Sequence, residues 1–365
     1  MTIVTSRNIW KPVSSAGPTY LVAAYDAPAW VKAKAHYVCD YVSGDDHLEI
    51  NDAITKAAAL KGGVLLSEGT FSLGASLSVP YDESGIRLAF LKGQGMRSTV
   101  IRLSGSLDGI VIADDADFYT MSDFQIYHWS KSTGHGIRFA GESHNFVFEN
   151  IDIFDTSAGW MANIYSPYWI WMGRWNNCRV NNCDIGWDLY WGTTLKQQNC
   201  YVAGYTTAGW RLGLITGISM DTPTAESGGT GWDITHQTSY GPSQLDITNM
   251  HVEAHNLTSG EGGVLNLYEG TFCRVNGLYL QNDGTNHADA TFDILYVNID
   301  SEVHVDINGI HMTAMNETGT NNRFKFDGTN GAGDSSFILG ASDCTYSDVD
   351  VPVGLTIVDT YQSLK

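Results

Sequence analysis

Basic residues are scarce in this chain: 20 Lys and Arg stand against 40 Asp and Glu over 365 residues, for a net charge of -20 at pH 7. That sign argues against nucleic acid as a partner and favours solubility through mutual repulsion, so an acidic ligand would need a local basic patch. Proline is sparse too, at 8 residues. Long Ala/Leu/Glu/Lys runs are nearly absent, which removes a predominantly helical fold. No apolar run reaches the roughly 18 residues of a membrane-spanning helix, so no membrane insertion is expected. The opening MTIVTSRNIWKPVSSAG lacks the apolar centre of a secretory signal. Six cysteines occur without a CxxC spacing, and they read as buried free thiols in preference to a disulfide framework or a zinc site.

What is present is glycine, 39 residues, with much Thr, Asn, Ser and aromatic residue, the composition of short strands and tight turns. Gly-Trp pairs recur at 159–160, 186–187, 209–210 and 231–232, at intervals of 27, 23 and 22 residues. A period in that range points to a coil of stacked repeats. Taking Asp123, Asn150, Asn177, Asn199, Thr222, Asn249, Gly277 and Gly309 as turn markers, the steps are 27, 27, 22, 23, 27, 28 and 32 residues. Asn and Gly tolerate a left-handed bend.

One residue past each marker stand Phe124, Ile151, Cys178, Cys200, Pro223, Met250, Leu278 and Ile310. Three past it stand Ile126, Ile153, Val180, Val202, Ala225, Val252, Leu280 and Met312. Apolar residues at period two in every repeat describe a half-buried strand stacked in register. Two before the marker a second apolar column is broken only by Gln197. The four Trp share parity with Ala162, Leu189, Leu212 and Ile234 and are expected to stack inward, each behind a Gly that lets the chain turn tightly. Three strands per repeat, stacked in parallel, predict an all-β protein: a right-handed single-stranded parallel β-helix with an N-terminal capping helix. The expected organisation is a lead-in segment at 1–44, the β-helix domain at 45–340 and a closing segment at 341–365. The capping helix lies at about 46–61, with Asp45 and Asp46 at its start.

The stretches DDHLEINDAITKAAALKGGVLLSEGTFSL and IRLAFLKGQGMRSTVIRL resemble the opening of pectate lyase-like right-handed β-helix proteins, and YLVAAYDAPAWVKAKAHYVCD resembles a lead-in of bacteriophage tailspike members. The resemblance implies an extended polysaccharide as partner, an extracellular or virion-surface location and a homotrimer. It also implies that the strand after the longer loop carries the cleft. The catalytic signatures of polygalacturonases and the Asp-rich calcium cluster of pectate lyases are absent. Fold does not by itself assign activity, so hydrolase, lyase and a non-catalytic glycan-binding or structural virion protein all stay open.

The repeat turns sequence positions into surface columns whose neighbours lie ~4.8 Å apart. On the Gly-Trp strands the outward slots hold Arg138, Met161, Asp188, Arg211 and Asp233. Asp188 and Asp233, two coils apart with Arg211 between, are candidate acid and base with a cation for an acidic sugar. On the strand after the marker the outward slots hold Asp152, Arg179, Tyr201, Thr224 and His251, and the next hold Asn181, Ala203, Glu226 and Glu253. Glu226 and Glu253 share a slot on adjacent coils, near the ~5 to 5.5 Å carboxyl spacing of a retaining glycosidase. His251, Glu253 and His255 form H-x-E-x-H, on which a divalent cation such as calcium is conceivable. No cofactor is otherwise expected. Tyr201 and His251 suit the proton transfers of a lyase, and Arg174, Arg179, Lys196 and Arg211 supply cations within two adjacent coils. Trp129, Tyr165, Tyr168, Trp169, Trp171, Tyr190 and Trp191 crowd one part of the chain, and flat rings there would stack on sugar faces.

Overall fold

A computed structural model describes residues 17–40, 44–82, 86–162, 169–234, 243–253, 263–267, 271–281, 293–298, 304–313, 324–327, 336–339, 349–350 and 356–359. All eight markers have left-handed backbone: φ is 64° at Asp123, 52° at Asn150, 51° at Asn177 and Asn199, 54° at Thr222 and 55° at Asn249, then 80° at Gly277 and 71° at Gly309. The carboxamides also tie neighbouring coils together. Asn150 Nδ2 donates to Asp123 Oδ1 at 2.9 Å, and Asn177 Nδ2 donates to Asn150 Oδ1 at 2.8 Å. Two further corners repeat in the same way, one through Asp155, Asn182, Gly204 and Ser227 and the other through Phe118, Asn145, Met172 and Thr194.

The strands before and after the marker corner belong to one 19-stranded sheet, and the Gly-Trp strands belong to a 14-stranded sheet on the other side of the core. Register follows the repeat residue for residue: Ile126 opposes Ile153, then come Val180, Val202, Ala225 and Val252, each in parallel pairing with the next. All six are buried. The chain is therefore an all-β, right-handed parallel β-helix with a capping helix. The coil takes in Thr19–Ala23, which pairs in parallel with Gly63–Leu66, and reaches Thr356–Asp359, which pairs in parallel with Ser336–Leu339.

The four Trp form a continuous buried stack. Ring centroids are 4.8 Å apart for Trp160 and Trp187, 5.0 Å for Trp187 and Trp210, and 4.7 Å for Trp210 and Trp232, with planes within 8° of parallel. The preceding glycines do not make the turn that the sequence implied, since they lie inside the strands. A Cβ on Gly186 would come within 2.5 Å of the Gly209 carbonyl oxygen and 2.8 Å of Val202 Cγ2. Glycine is needed there for close approach of backbone to backbone. Gln197, the one polar break in its column, is fully buried, and its Oε1 accepts the Trp210 indole N–H at 2.7 Å. Cys178 and Cys200 are both free and buried in the stacked inward slot, and Cys39, Cys183 and Cys273 are free and buried elsewhere.

The helix spans Asp46–Ala59 and buries Ile50, Ala53, Ile54, Ala57 and Ala58 against the first coils. Asp45 occupies the N-cap without a side-chain cap hydrogen bond. The Asp46 carboxylate instead accepts the Ser72 N–H at 2.6 Å, pinning the helix to the coil, and burial pushes its pKa up. Among the described residues no helix is long and apolar enough to cross a membrane.

Candidate functional site

The short strands after the marker corner, Arg179–Asn181, Tyr201–Ala203 and Thr224–Glu226, each bury one central residue and turn its two neighbours outward. Their register sets Gln125, Asp152, Arg179, Tyr201, Thr224 and His251 in one column, one per coil. Along it runs a groove of about 630 Å³ whose lining includes Arg97, Asp152, Arg179, Asn181, Tyr201 and Thr224. Asp152 is only 2% exposed. Burial raises its pKa to about 6, against the opposing pull of Arg179, Gln125, Arg97 and Asn181. Arg179 and Arg97 thus bring two guanidinium groups to a groove in an acidic protein.

Tyr201 stands one coil beyond Arg179, and its hydroxyl donates to Glu226 Oε2 at 2.5 Å. Burial pushes the phenol pKa up, and the hydrogen bond and charge of Glu226 push it further. Glu226 and Glu253 are opposed in register as expected. Their carboxylates have different partners, because Glu253 Oε2 lies 3.7 Å from His251 Nε2. The His251 ring packs edge-on to Tyr279 at 5.0 Å. Of the expected site residues, Arg179, Tyr201, Glu226, His251 and Glu253 therefore share one face.

The second column also forms, with Asp188 opposing Arg211 and Arg211 opposing Asp233. Its character differs from the water-facing ladder that the alternation implied. Asp188 is 3% exposed, and Arg211 clamps it through Nε to Oδ1 at 2.9 Å and Nη2 to Oδ2 at 2.5 Å. Burial raises the pKa of Asp233, Arg211 pulls it back and Asp188 adds to the rise. Gly213 leaves room for the Tyr190 ring, since a Cβ there would lie 2.6 Å from Tyr190 Cδ2.

The aromatic group is not one exposed platform. Trp191 is buried, at 7% exposure, which corrects its expected place on a sugar-binding surface. The strand Ile185–Thr193 runs unbroken for nine residues, so Trp191 shares the inward parity of Trp187 and Leu189. Trp169 is half-buried edge-on to Trp191 at 5.5 Å. Trp171 is half-buried and stacked on His144 at 4.4 Å. Trp129 is 70% exposed, with the Arg102 guanidinium 5.3 Å from its ring centre. Tyr165, Tyr168 and His255 lie outside the described residues. Among the described residues no three His, Cys, Asp or Glu side chains converge to hold a metal ion.

Asp152 and Arg97 had no role assigned from sequence. Asp152 was visible as a member of its column, but alternation carries no information on how deeply a polar neighbour is covered. Arg97 reaches the groove from the turn ahead of Thr99–Leu103, and nothing in the repeat marks it.

No family model and no curated protein sequence matches the chain. Among solved structures it is similar to the A-module of mannuronan C-5 epimerase AlgE4 from Azotobacter vinelandii, at 14% identity and a TM-score of 0.51, covering 87% of this chain and 96% of that one. The AlgE6 A-module of the same organism is alike at 15% identity and a TM-score of 0.50, over 87% and 94% of the two chains. The gp42 tailspike of Acinetobacter phage vb_AbaP_AS12 matches at 12% identity and a TM-score of 0.48, over 78% of this chain and 60% of that one. At such identities the likeness to the epimerase modules carries architecture alone, and in architecture the chain belongs with the right-handed parallel β-helix proteins.

Proposed function

We propose that the groove along Asp152, Arg179 and Tyr201 binds an extended acidic polysaccharide outside the cell or at a virion surface, and cleaves it by β-elimination. The observation that carries this reading is the order of the three groups in one outward column, a buried acid, a cation and a tyrosine on successive coils. Neighbours in that column are ~4.8 Å apart. Arg179, with Arg97 nearby, neutralises the uronate carboxylate and acidifies the carbon beside it. The Tyr201 oxygen takes the proton from that carbon as its own proton passes to Glu226, the acceptor it already addresses. The electrons of the broken C–H bond form the ring double bond, the glycosidic C–O bond breaks, and Asp152 protonates the departing oxygen. A carboxylic acid with a pKa of about 6 is suited to that donation in mildly acid solution. The two modules of like fold are named for mannuronan, a polyuronide, which agrees in substrate class.

The test is incubation of the purified protein with a panel of polyuronides while the absorbance of unsaturated uronates and the reducing ends are both followed. Tyr201→Phe, Asp152→Asn and Arg179→Ala should each lower turnover by at least ~100-fold. Full activity in all three on a confirmed substrate overturns the assignment. Reducing ends without absorbance would move the chemistry to hydrolysis, with Glu226 and Glu253 or Asp188 and Asp233 as the carboxylate pair.

A second reading, glycan binding without cleavage, is favoured by the solvent-facing ring of Trp129 beneath Arg102. Persistent glycan binding with no product, lost in Trp129→Ala, would select it.

A further inference from the structure

The strands before the marker corner carry a separate cleft of about 460 Å³, sharing no residue with the groove. Four of its lining residues form one outward column on successive coils, Arg174, Lys196, Ser219 and Asp246. Arg174 and Lys196 are therefore directly opposed like charges. Such pairs destabilise a sheet, and a chain with 20 basic and 40 acidic residues has ample means to avoid one. Lys196 is exposed and makes no ion pair among the described residues. Beside the two cations the cleft presents the hydroxyls of Thr193 and Thr194, and its wall is Met172, 42% exposed. At the far end, two coils past Lys196, stand Asp246 and Gln244.

We propose that this cleft is a second glycan-binding site, which takes a uronic acid unit by its carboxylate at Arg174 and Lys196. One anion between the two cations replaces their repulsion with charge-assisted hydrogen bonds. The span of about three coil spacings, ~14 Å, with hydroxyl, amide and carboxylate groups beyond the cations, suits the ring hydroxyls of the next sugar. A cleft of a few hundred Å³ is in the size range of ligand sites. The site anchors the chain on its substrate apart from the groove, and it rests on none of the cleavage chemistry.

The test uses the full chain carrying Arg179→Ala, so that the groove does not contribute, with tetragalacturonate and the neutral maltotetraose as probes in titration calorimetry at low ionic strength. Tetragalacturonate should bind and maltotetraose should not. Lys196→Gln or Arg174→Gln should weaken binding about tenfold, the scale of losing one charged hydrogen bond. Raising the salt to about 0.5 M should weaken it as well. Ser219→Glu, which leaves both cations in place but sets a negative charge beside Lys196, should also weaken binding, and it serves if a cation variant fails to fold. Absence of tetragalacturonate binding, equal binding of the neutral tetramer, or unchanged affinity in the folded variants overturns the proposal. A groove without activity is read separately, from the absence of product with the unaltered chain.

Discussion

Arg211 and Asp188 form a two-point ion pair across one coil spacing, with the carboxylate almost wholly covered and the guanidinium one third exposed. Removing the carboxylate strands a guanidinium against a low-dielectric wall, and breaking such a pair costs about 3 to 5 kcal/mol when fully buried. With Arg211 partly solvated, Asp188→Ala should cost about 2 to 3 kcal/mol, measured by urea unfolding. Asp233→Asn should be neutral or stabilising at pH 7, because burial already disfavours its charged form. Equal losses in the two variants would contradict this division of roles.

Gly186→Ala should destabilise by about 1 to 3 kcal/mol, the usual cost of overpacking. The added methyl would press on the Gly209 carbonyl oxygen and on Val202, both parts of the rigid stack. Near-ultraviolet circular dichroism of the coupled Trp187 and Trp210 rings should change with it. An unaltered spectrum and an unaltered unfolding midpoint would show that the coils can separate to admit a Cβ.

Asp152 has a folded pKa raised by burial to about 6, above an unfolded value of about 3.9. The folded state therefore binds this proton more tightly than the unfolded chain. The stabilisation is full below pH ~4 and is lost as pH rises through about 6, amounting to roughly 2 to 3 kcal/mol. Asp152→Asn should remove that part of the pH dependence, seen by comparing unfolding free energies at pH 4 and pH 7. In the cleavage reading, turnover of the unaltered protein falls above pH ~6, and the fall is absent from whatever activity Asp152→Asn retains.

The assembly expected from the tailspike resemblance is a homotrimer. Multi-angle light scattering at micromolar concentration measures it directly, and a monomer alone would remove this expectation. It would leave the groove and the cleft untouched, since every residue named in them comes from one chain.

The repeat was legible because a coil must place apolar side chains in the same slot on every turn. Val180, Val202 and Val252 announce the interior, and Asn150, Asn177 and Asn199 announce a corner, since Asn enters the left-handed region more readily than most residues with a side chain. The same logic placed the Trp stack and the opposition of Glu226 with Glu253, which depend only on counting. Trp191, by contrast, was expected on a surface from its clustering in sequence, and it is buried, on the parity of Trp187 in an unbroken strand. What counting cannot supply is depth and long-range company. Alternation alone says that Asp152 and Asp188 point away from the core. Only the folded chain decides that Asp152 is covered with Arg97 nearby, that Arg211 closes over Asp188, and that the glycines before the tryptophans serve the spacing between coils. Those outcomes rest on side-chain reach between coils and on loops outside the repeat, where desolvation and charge pairing act and the period of the sequence has no bearing.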